Sequence, residues 1–196
     1  MDFFKSDTLT NEEVEIIMVL IQKRQEKSFD NARFKCEQYN EFFRLLFKWM
    51  NKKQTPEPYF YQGELYRIHV PRIYDIDYVN REEIIEPFES ESDGNVLALK
   101  DTRYSDELVS FSKDYDFTKD VFYNVYPTQI ARFFHCNTKQ FYGLDVNKFY
   151  ESYGERIERY EKEQEVLFPL QKEFVIKEYT CTPIKFKEYM ELTKGK

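Results

Sequence analysis

Two acidic residues separated by a single residue, Glu163 and Glu165, stand directly before the apolar run Val166-Leu167-Phe168. If the strand predicted for that run extends back to Glu163, both carboxylates project from one side, because side chains alternate along a strand. Neighbouring carboxylates repel each other and resist desolvation, so such a pair beside a buried strand indicates a chemical role. Periodicity alone favours the alternative, a solvated acidic loop, in a chain with 36 acidic residues.

Two shorter motifs precede the acidic pair: Arg67 in a strand-like segment, and then Ser110 and Ser112 around one phenylalanine. In this order the three motifs resemble those of the arginine-type ADP-ribosyltransferases, which carry an Arg, a Ser-x-Ser and a Glu-x-Glu on successive core strands. The acidic motif, with its Val-Leu-Phe-Pro tail, is particularly similar to that of the small ADP-ribosyltransferases of T-even-type bacteriophages. The resemblance covers residues 59–176.

The resemblance implies that NAD is the cofactor, used as a co-substrate whose nicotinamide–ribose bond breaks through an oxocarbenium-like state. Arg67 would bind an NAD phosphate with its planar, permanently charged guanidinium. Ser110 would orient Glu165, and the Glu165 carboxylate would bind the nicotinamide ribose and stabilise the developing positive charge. Ser112 and the backbone of Ile68 would complete the contacts to the cofactor.

The acceptor side of the implied reaction belongs to Glu163. A guanidinium is a poor nucleophile because it stays protonated up to a pKa above about 12. A carboxylate that orients it and accepts its proton therefore assists the attack. Tyr160, in the loop 153–160, would contact the acceptor. Ile68 and His69 stand where the family commonly has Gly after the core Arg, and His69 is interpreted as a core or rim histidine.

The elements that must position these residues begin with helices. Thr10 and Glu13 form a capping box, followed by apolar residues at helical spacing. A second helix is predicted from about 30 to 52 and is ended by the prolines of 54–58. Strand-like segments follow at 59–61, 64–71, 107–112, 129–135, 163–168, 174–176 and 184–189. A turn is predicted at Gly63, and an acidic surface connection over 78–95. A short helix is predicted over 116–124, with Asp116 as its cap.

Together these elements predict an α+β fold in one domain spanning 1–196. Residues 1–55 would form a helical lobe, and residues 56–196 a catalytic core. By resemblance, the core would consist of two small, mainly antiparallel sheets with an NAD cleft between them. The chain is expected to be a monomer.

Composition excludes several other classes. A net charge of −7 lacks the basic surface that nucleic-acid binding needs. Cys36, Cys136 and Cys181 are isolated, so buried reduced thiols are expected and no metal site. There is no Gly-rich phosphate loop. The N-terminus does not resemble a signal peptide, and no apolar run spans a bilayer, so a soluble, cytoplasmic protein is expected.

The expected function is the NAD-dependent transfer of ADP-ribose to arginine of other proteins, with host proteins as targets if the chain is phage-encoded. Two alternatives stay open: an NAD glycohydrolase, and a non-catalytic interaction protein that retains the fold. A hydrolase built on Ser110 and His135 has little support, because no nucleophile-elbow motif is present.

Overall fold

The computed structural model describes residues 3–25, 32–69, 76–79, 96–99, 105–125, 131–155 and 163–181. These residues form α1 (Asn11–Gln25), α2 (Ala32–Met50), β1 (Phe60–Tyr61), β2 (Glu64–His69), β3 (Ile76–Val79), β4 (Val96–Leu99), β5 (Ser105–Ser112), α3 (Tyr115–Val125), β6 (Ala131–Asn137), β7 (Gly143–Asp145), α4 (Val146–Ser152), β8 (Glu165–Leu170) and β9 (Val175–Cys181). A short 3-10 helix, Lys172–Phe174, precedes β9.

The capping box at the start of α1 is confirmed. The backbone N–H of Thr10 donates to the Glu13 carboxylate at 2.8 Å, and the N–H of Glu13 donates to the Thr10 hydroxyl at 3.3 Å. The carboxylate also accepts the backbone N–H of Phe4. Desolvation raises the pKa of this buried Glu13, but the hydrogen bonds from Thr10 and Phe4 outweigh it and hold the pKa below its usual value. Four orphan N–H groups begin every helix, and this arrangement satisfies part of that need.

The two N-terminal helices bury the apolar faces that their spacing predicts. The buried apolar residues are Val14, Ile17, Leu20 and Ile21 on α1, and Phe42, Phe43, Leu46, Trp49 and Met50 on α2. They belong to one core cluster with residues of β1, β7, α4 and β8. The helices therefore pack directly on the strand-rich part of the chain. The division into a 1–55 lobe and a 56–196 core stays a prediction.

Seven strands form one curled antiparallel sheet in the order β1-β7-β8-β5-β2-β6-β9. The two remaining described strands, β3 and β4, pair only with each other. Because β5 lies between β2 and β8, the three strands that carry the sequence motifs are neighbours.

The sheet has a seam between β2 and β5. Six registered residue pairs join β5 to β8, and six join β2 to β6. Within the described residues, a single pair, Tyr66 with Ser112, joins β2 to β5. Backbone groups beyond that pair must find other partners, because buried N–H and C=O groups are rarely left unbonded. We call this weakly paired junction the seam.

The α+β class is confirmed, and six of the predicted strand segments correspond to β1, β2, β5, β6, β8 and β9. The segment 184–189 and most of the connection 78–95 lie outside the described residues. Tyr78 and Val79, assigned to that connection, are strand residues of β3. The short elements β4, β7 and α4 were not predicted.

The strands on either side of Gly63 pair with different neighbours, β1 with β7 and β2 with β5 and β6. One local prediction, the cap of the third helix, is wrong. The third helix starts at Tyr115, and its cap is Asp114 rather than Asp116. The Asp114 carboxylate accepts the backbone N–H of Phe117 at 2.9 Å, the bond that an N-cap makes. No helix in the described part of the chain is both long and apolar enough to cross a bilayer.

Candidate active site

A cavity of about 210 Å³ lies at the seam. Its wall includes six of the seven site residues predicted from the sequence: Arg67, Ile68, Ser110, Ser112, Glu163 and Glu165. The rest of the wall consists of Tyr66, Phe111 and three residues of α3, Phe117, Thr118 and Val121. The seventh residue, Tyr160, lies outside the described residues. The three sequence motifs therefore meet in one place.

Arg67 bridges the seam. It lies on β2, which pairs with β6, and its guanidinium donates to the backbone carbonyl of Ser110 on β5. Because only one described residue pair joins these strands, the side chain supplies a partner for a β5 carbonyl where the ladder ends. Among the described residues of the cavity wall, Arg67 is the only one with a permanent positive charge, and this contact fixes its position.

The two serines of β5 occupy different places relative to Glu165. Ser112 is directly opposite Glu165 in the β5–β8 ladder, and Ser110 is opposite Leu167. Opposed residues of an antiparallel pair point to the same face, so Ser110 is a diagonal neighbour of Glu165. The Ser112 hydroxyl also accepts the N–H of Asp114 at 3.0 Å, which turns the chain from β5 towards α3.

Glu165 is the first residue of β8 and is only 5% exposed. The antiparallel pairing with β5 fixes its backbone, and its side chain lines the cavity. A nearly buried carboxylate in a cavity whose wall includes an arginine residue is suited to stabilising positive charge that develops on a bound molecule.

Glu163 also lines the cavity, but the backbone conformation that places it there was not predicted from the sequence. The strand begins at Glu165, so the alternation argument for placing both carboxylates on one face is wrong. Gln164 instead has a positive φ of 45°, which turns the chain between the two acids. Both carboxylates line the cavity, and Glu163 is the more exposed of the two.

One wall of the cavity is formed by α3. Phe117 and Val121 present apolar surface, and the Thr118 hydroxyl donates to the Asp114 carbonyl at 2.8 Å. Asp114 thus serves the helix twice, with its carboxylate and with its carbonyl. Asp114 was not predicted as a cap, although an Asp two positions after a strand and just before an amphipathic helix is a common N-cap signal.

Tyr66 closes the cavity on the side of β2 and belongs to a small polar cluster. Its hydroxyl donates to the Glu64 carboxylate at 2.7 Å, and its ring stacks on His135 at a centroid distance of 4.9 Å. Burial, and then the bond to Glu64, raise the pKa of Tyr66, so the phenol stays neutral near pH 7. The His135 Nε2 atom lies 3.3 Å from the Glu64 carboxylate without hydrogen-bond geometry.

The remaining candidates from the sequence have simpler surroundings. The backbone of His69 pairs with Arg132, and its side chain lies outside the described residues. Cys136 is a buried free thiol, and burial raises its pKa to about 12, so it is inert. Among the described residues, no cluster of His, Cys, Asp and Glu could hold a metal ion.

Comparisons with protein-family models, curated proteins and solved structures find no match to this chain.

The cavity combines one fixed cation, two carboxylates of unequal exposure, serine hydroxyls and an apolar helix face. The cation is suited to an anionic group such as a phosphate. The carboxylates are suited to hydroxyl groups, to developing positive charge or to a bound guanidinium. A ligand that is anionic at one end and becomes cationic at its reacting centre matches this combination.

Proposed function

We propose that this protein is a mono-ADP-ribosyltransferase that transfers ADP-ribose from NAD to arginine side chains of other proteins and releases nicotinamide. The observation that carries the proposal is the convergence of Arg67, Ser110 and Glu165 on one cavity. These residues are far apart in the sequence, and each belongs to a motif that predicts a role in the same reaction.

NAD would lie across the seam. Arg67 binds its diphosphate, with the guanidinium held in place by the Ser110 carbonyl. The cavity, at about 210 Å³, is smaller than the roughly 300 to 1,000 Å³ typical of pockets that enclose a whole drug-sized ligand. It therefore takes the nicotinamide ribose and the adjoining phosphate, and the adenosine extends beyond it.

Glu165 acts on the reacting sugar. The bond between ribose C1′ and nicotinamide breaks, and nicotinamide leaves with the electron pair. Positive charge then develops on the ribose, where the nearly buried carboxylate stabilises it. The Ser112 and Ser110 hydroxyls, opposite and diagonal to Glu165, restrict where that carboxylate can lie.

Glu163 acts on the acceptor. A guanidinium nitrogen of the target arginine supplies the electron pair of the new bond to C1′, and the Glu163 carboxylate takes the proton that the nitrogen loses. Its greater exposure suits a residue that must meet a side chain arriving from another protein. Bacterial proteins inside an infected host cell are the proposed targets.

The seam supports the two-sheet core that this function implies. A single described pair joins β2 to β5, so the strands group as β1-β7-β8-β5 and β2-β6-β9. In the proposal these groups are the two small sheets, and the cavity at their junction is the inner part of the NAD cleft.

The deciding experiment incubates the purified protein with NAD labelled in its adenylate half, with and without a bacterial lysate. Arginine transfer predicts label on protein bands, together with release of nicotinamide. Free ADP-ribose without labelled protein would instead identify an NAD glycohydrolase. No nicotinamide release, and no thermal stabilisation by millimolar NAD, would support a non-catalytic interaction protein.

A further inference from the structure

Gln164 is the residue between the two carboxylates, and its backbone is in an unusual conformation. Its φ of 45° lies in the left-handed region, which residues other than Gly, Asn and Asp adopt infrequently. Such a conformation persists only where the surrounding contacts fix it, and it is often found at functional sites. The contacts of Gln164 therefore decide where the chain before β8 can go.

Two described contacts hold Gln164, and both come from the segment that follows β5. The backbone N–H of Lys113 donates to the Gln164 carbonyl at 3.2 Å. The Gln164 side-chain amide donates to the Asp114 carboxylate at 3.3 Å, through the oxygen that the cap of α3 does not use. The first contact is available to any residue type, whereas the second requires a side-chain donor.

The segment that supplies these contacts is itself firmly anchored. Lys113 forms an ion pair of 2.6 Å with Asp145, whose side chain is fully buried. Asp114 is bound to the Ser112 hydroxyl and to the first turn of α3. A hydrogen bond from Gln164 to Asp114 thus ties the turn before β8 to three fixed elements, β5, α3 and β7.

We propose that the Gln164–Asp114 pair positions Glu163 over the cavity and thereby sets how much ADP-ribose reaches a guanidine instead of water. The inference rests on the proposed transferase function. Gln164 touches neither substrate in this proposal, so it is a positioning residue that acts through Glu163.

The two carboxylates differ in their dependence on this pair. Glu165 belongs to β8, and its pairing with Ser112 in the ladder holds it whether or not the Gln164 side chain is bound. Glu163 lies outside the strand, on the far side of the Gln164 turn. Loss of the Gln164–Asp114 hydrogen bond should therefore move the Glu163 carboxylate and leave the Glu165 carboxylate in place.

The test uses Gln164→Glu, which places a carboxylate against that of Asp114 and replaces attraction by repulsion. The double variant Asp114→Asn/Gln164→Glu exchanges the two groups. The amide at position 114 would then donate to the carboxylate at position 164, and the net charge would equal that of wild type. Asn is also a good N-cap, so the double variant keeps the helix cap. Gln164→Met removes the donor without adding charge, in case Gln164→Glu does not fold.

Two readouts separate the steps: total nicotinamide release from NAD, and label transferred to a small guanidino acceptor such as agmatine. In Gln164→Glu and Gln164→Met we expect the transferred share of turnover to fall by about tenfold, the effect of one hydrogen bond to a charged acceptor. Nicotinamide release should stay near the wild-type rate, and the double variant should recover the transferred share. Asp116→Asn, which removes the same charge from an exposed position on the same helix, should leave the share unchanged.

An unchanged transferred share in both single variants would overturn the inference while leaving the proposed function intact. A double variant no better than Gln164→Glu would overturn it as well, because the pairing itself would then be irrelevant. Wild-type protein that releases no nicotinamide would refute the proposed function and this inference together.

Discussion

Ser112 lies directly opposite Glu165 in the β5–β8 ladder, whereas Ser110 lies opposite Leu167, further along the same ladder. Side chains of directly opposed residues have their Cβ atoms about 4.5 to 5.5 Å apart, and diagonal neighbours are further from each other. The serine nearest to the buried carboxylate is thus the one that also shapes the turn to α3. Ser110 contributes differently, since its carbonyl holds Arg67 and its side chain lines the cavity.

The two serines should therefore respond differently to removal of the hydroxyl. Ser110→Ala keeps the carbonyl that binds Arg67, so its free energy of unfolding should match wild type while kcat/KM for NAD falls by about tenfold. Ser112→Ala loses the bond to Asp114 as well, so it should lower the free energy of unfolding by about 1 kcal/mol in addition to activity. Nicotinamide release and chemical denaturation measure the two effects. Equal loss of stability in both variants would contradict the distinction.

Replacing Glu165 or Glu163 by its amide should affect two different activities, nicotinamide release and transfer to the acceptor. In the proposed mechanism Glu165→Gln removes the charge that would stabilise the oxocarbenium-like state, so nicotinamide release should fall by at least about a hundredfold. Glu163→Gln should suppress transfer to agmatine more than it suppresses nicotinamide release. Glu173→Gln, an exposed acid beyond β8, is the matched control and should behave like wild type. Arginine labelling that survives Glu163→Gln at the wild-type rate would show that the division of labour is wrong.

Part of this site could be predicted from the sequence because three short motifs carry it. The residue types of Arg67, Ser110 and Glu165, in that order along the chain, were enough to select residues that share one cavity. Order along the chain could not give the strand order, in which β5 lies between β2 and β8. That order depends on long-range pairing, which local patterns do not specify.

The turn at Gln164 is a second feature that local sequence patterns could not predict. Period-two alternation gave the right outcome for Glu163 and Glu165 by the wrong geometry, because it assumed that the strand started two residues early. A left-handed Gln is determined by tertiary contacts, here with Lys113 and Asp114, and not by its own preference. The cap at Asp114 had a recognisable local signal, and the choice of Asp116 overlooked it.

Arg67→Lys tests the cation at the seam. A lysine keeps the charge but loses the planar fork that can bind two phosphate oxygens at once and reach the Ser110 carbonyl. We expect KM for NAD to rise by about tenfold or more, with a smaller effect on kcat, because binding of the diphosphate precedes the chemical step. Arg44→Lys replaces an arginine on α2 that is not among the residues lining the cavity, and it controls for the substitution itself. Initial rates of nicotinamide release over a range of NAD concentrations give both constants, and an unchanged KM would remove Arg67 from the NAD site.

Glu13 should make the stability of the N-terminal helices dependent on pH. Its pKa in the folded protein is held below the ordinary value of 4.5 by the hydrogen bonds from Thr10 and Phe4, which outweigh desolvation. A carboxyl whose pKa is lower in the folded state stabilises that state fully above the unfolded value, and the contribution is lost as the pH falls through the folded value. Glu13→Gln should therefore lower the free energy of unfolding by about 1 kcal/mol at pH 7 and flatten its decline below about pH 4.5.

Glu12→Gln, at the exposed neighbouring position, should keep the wild-type decline. Urea titrations at about pH 7 and about pH 3.5, on either side of the ordinary carboxyl pKa, measure the difference. Parallel pH profiles for wild type and Glu13→Gln would show that this carboxylate does not contribute.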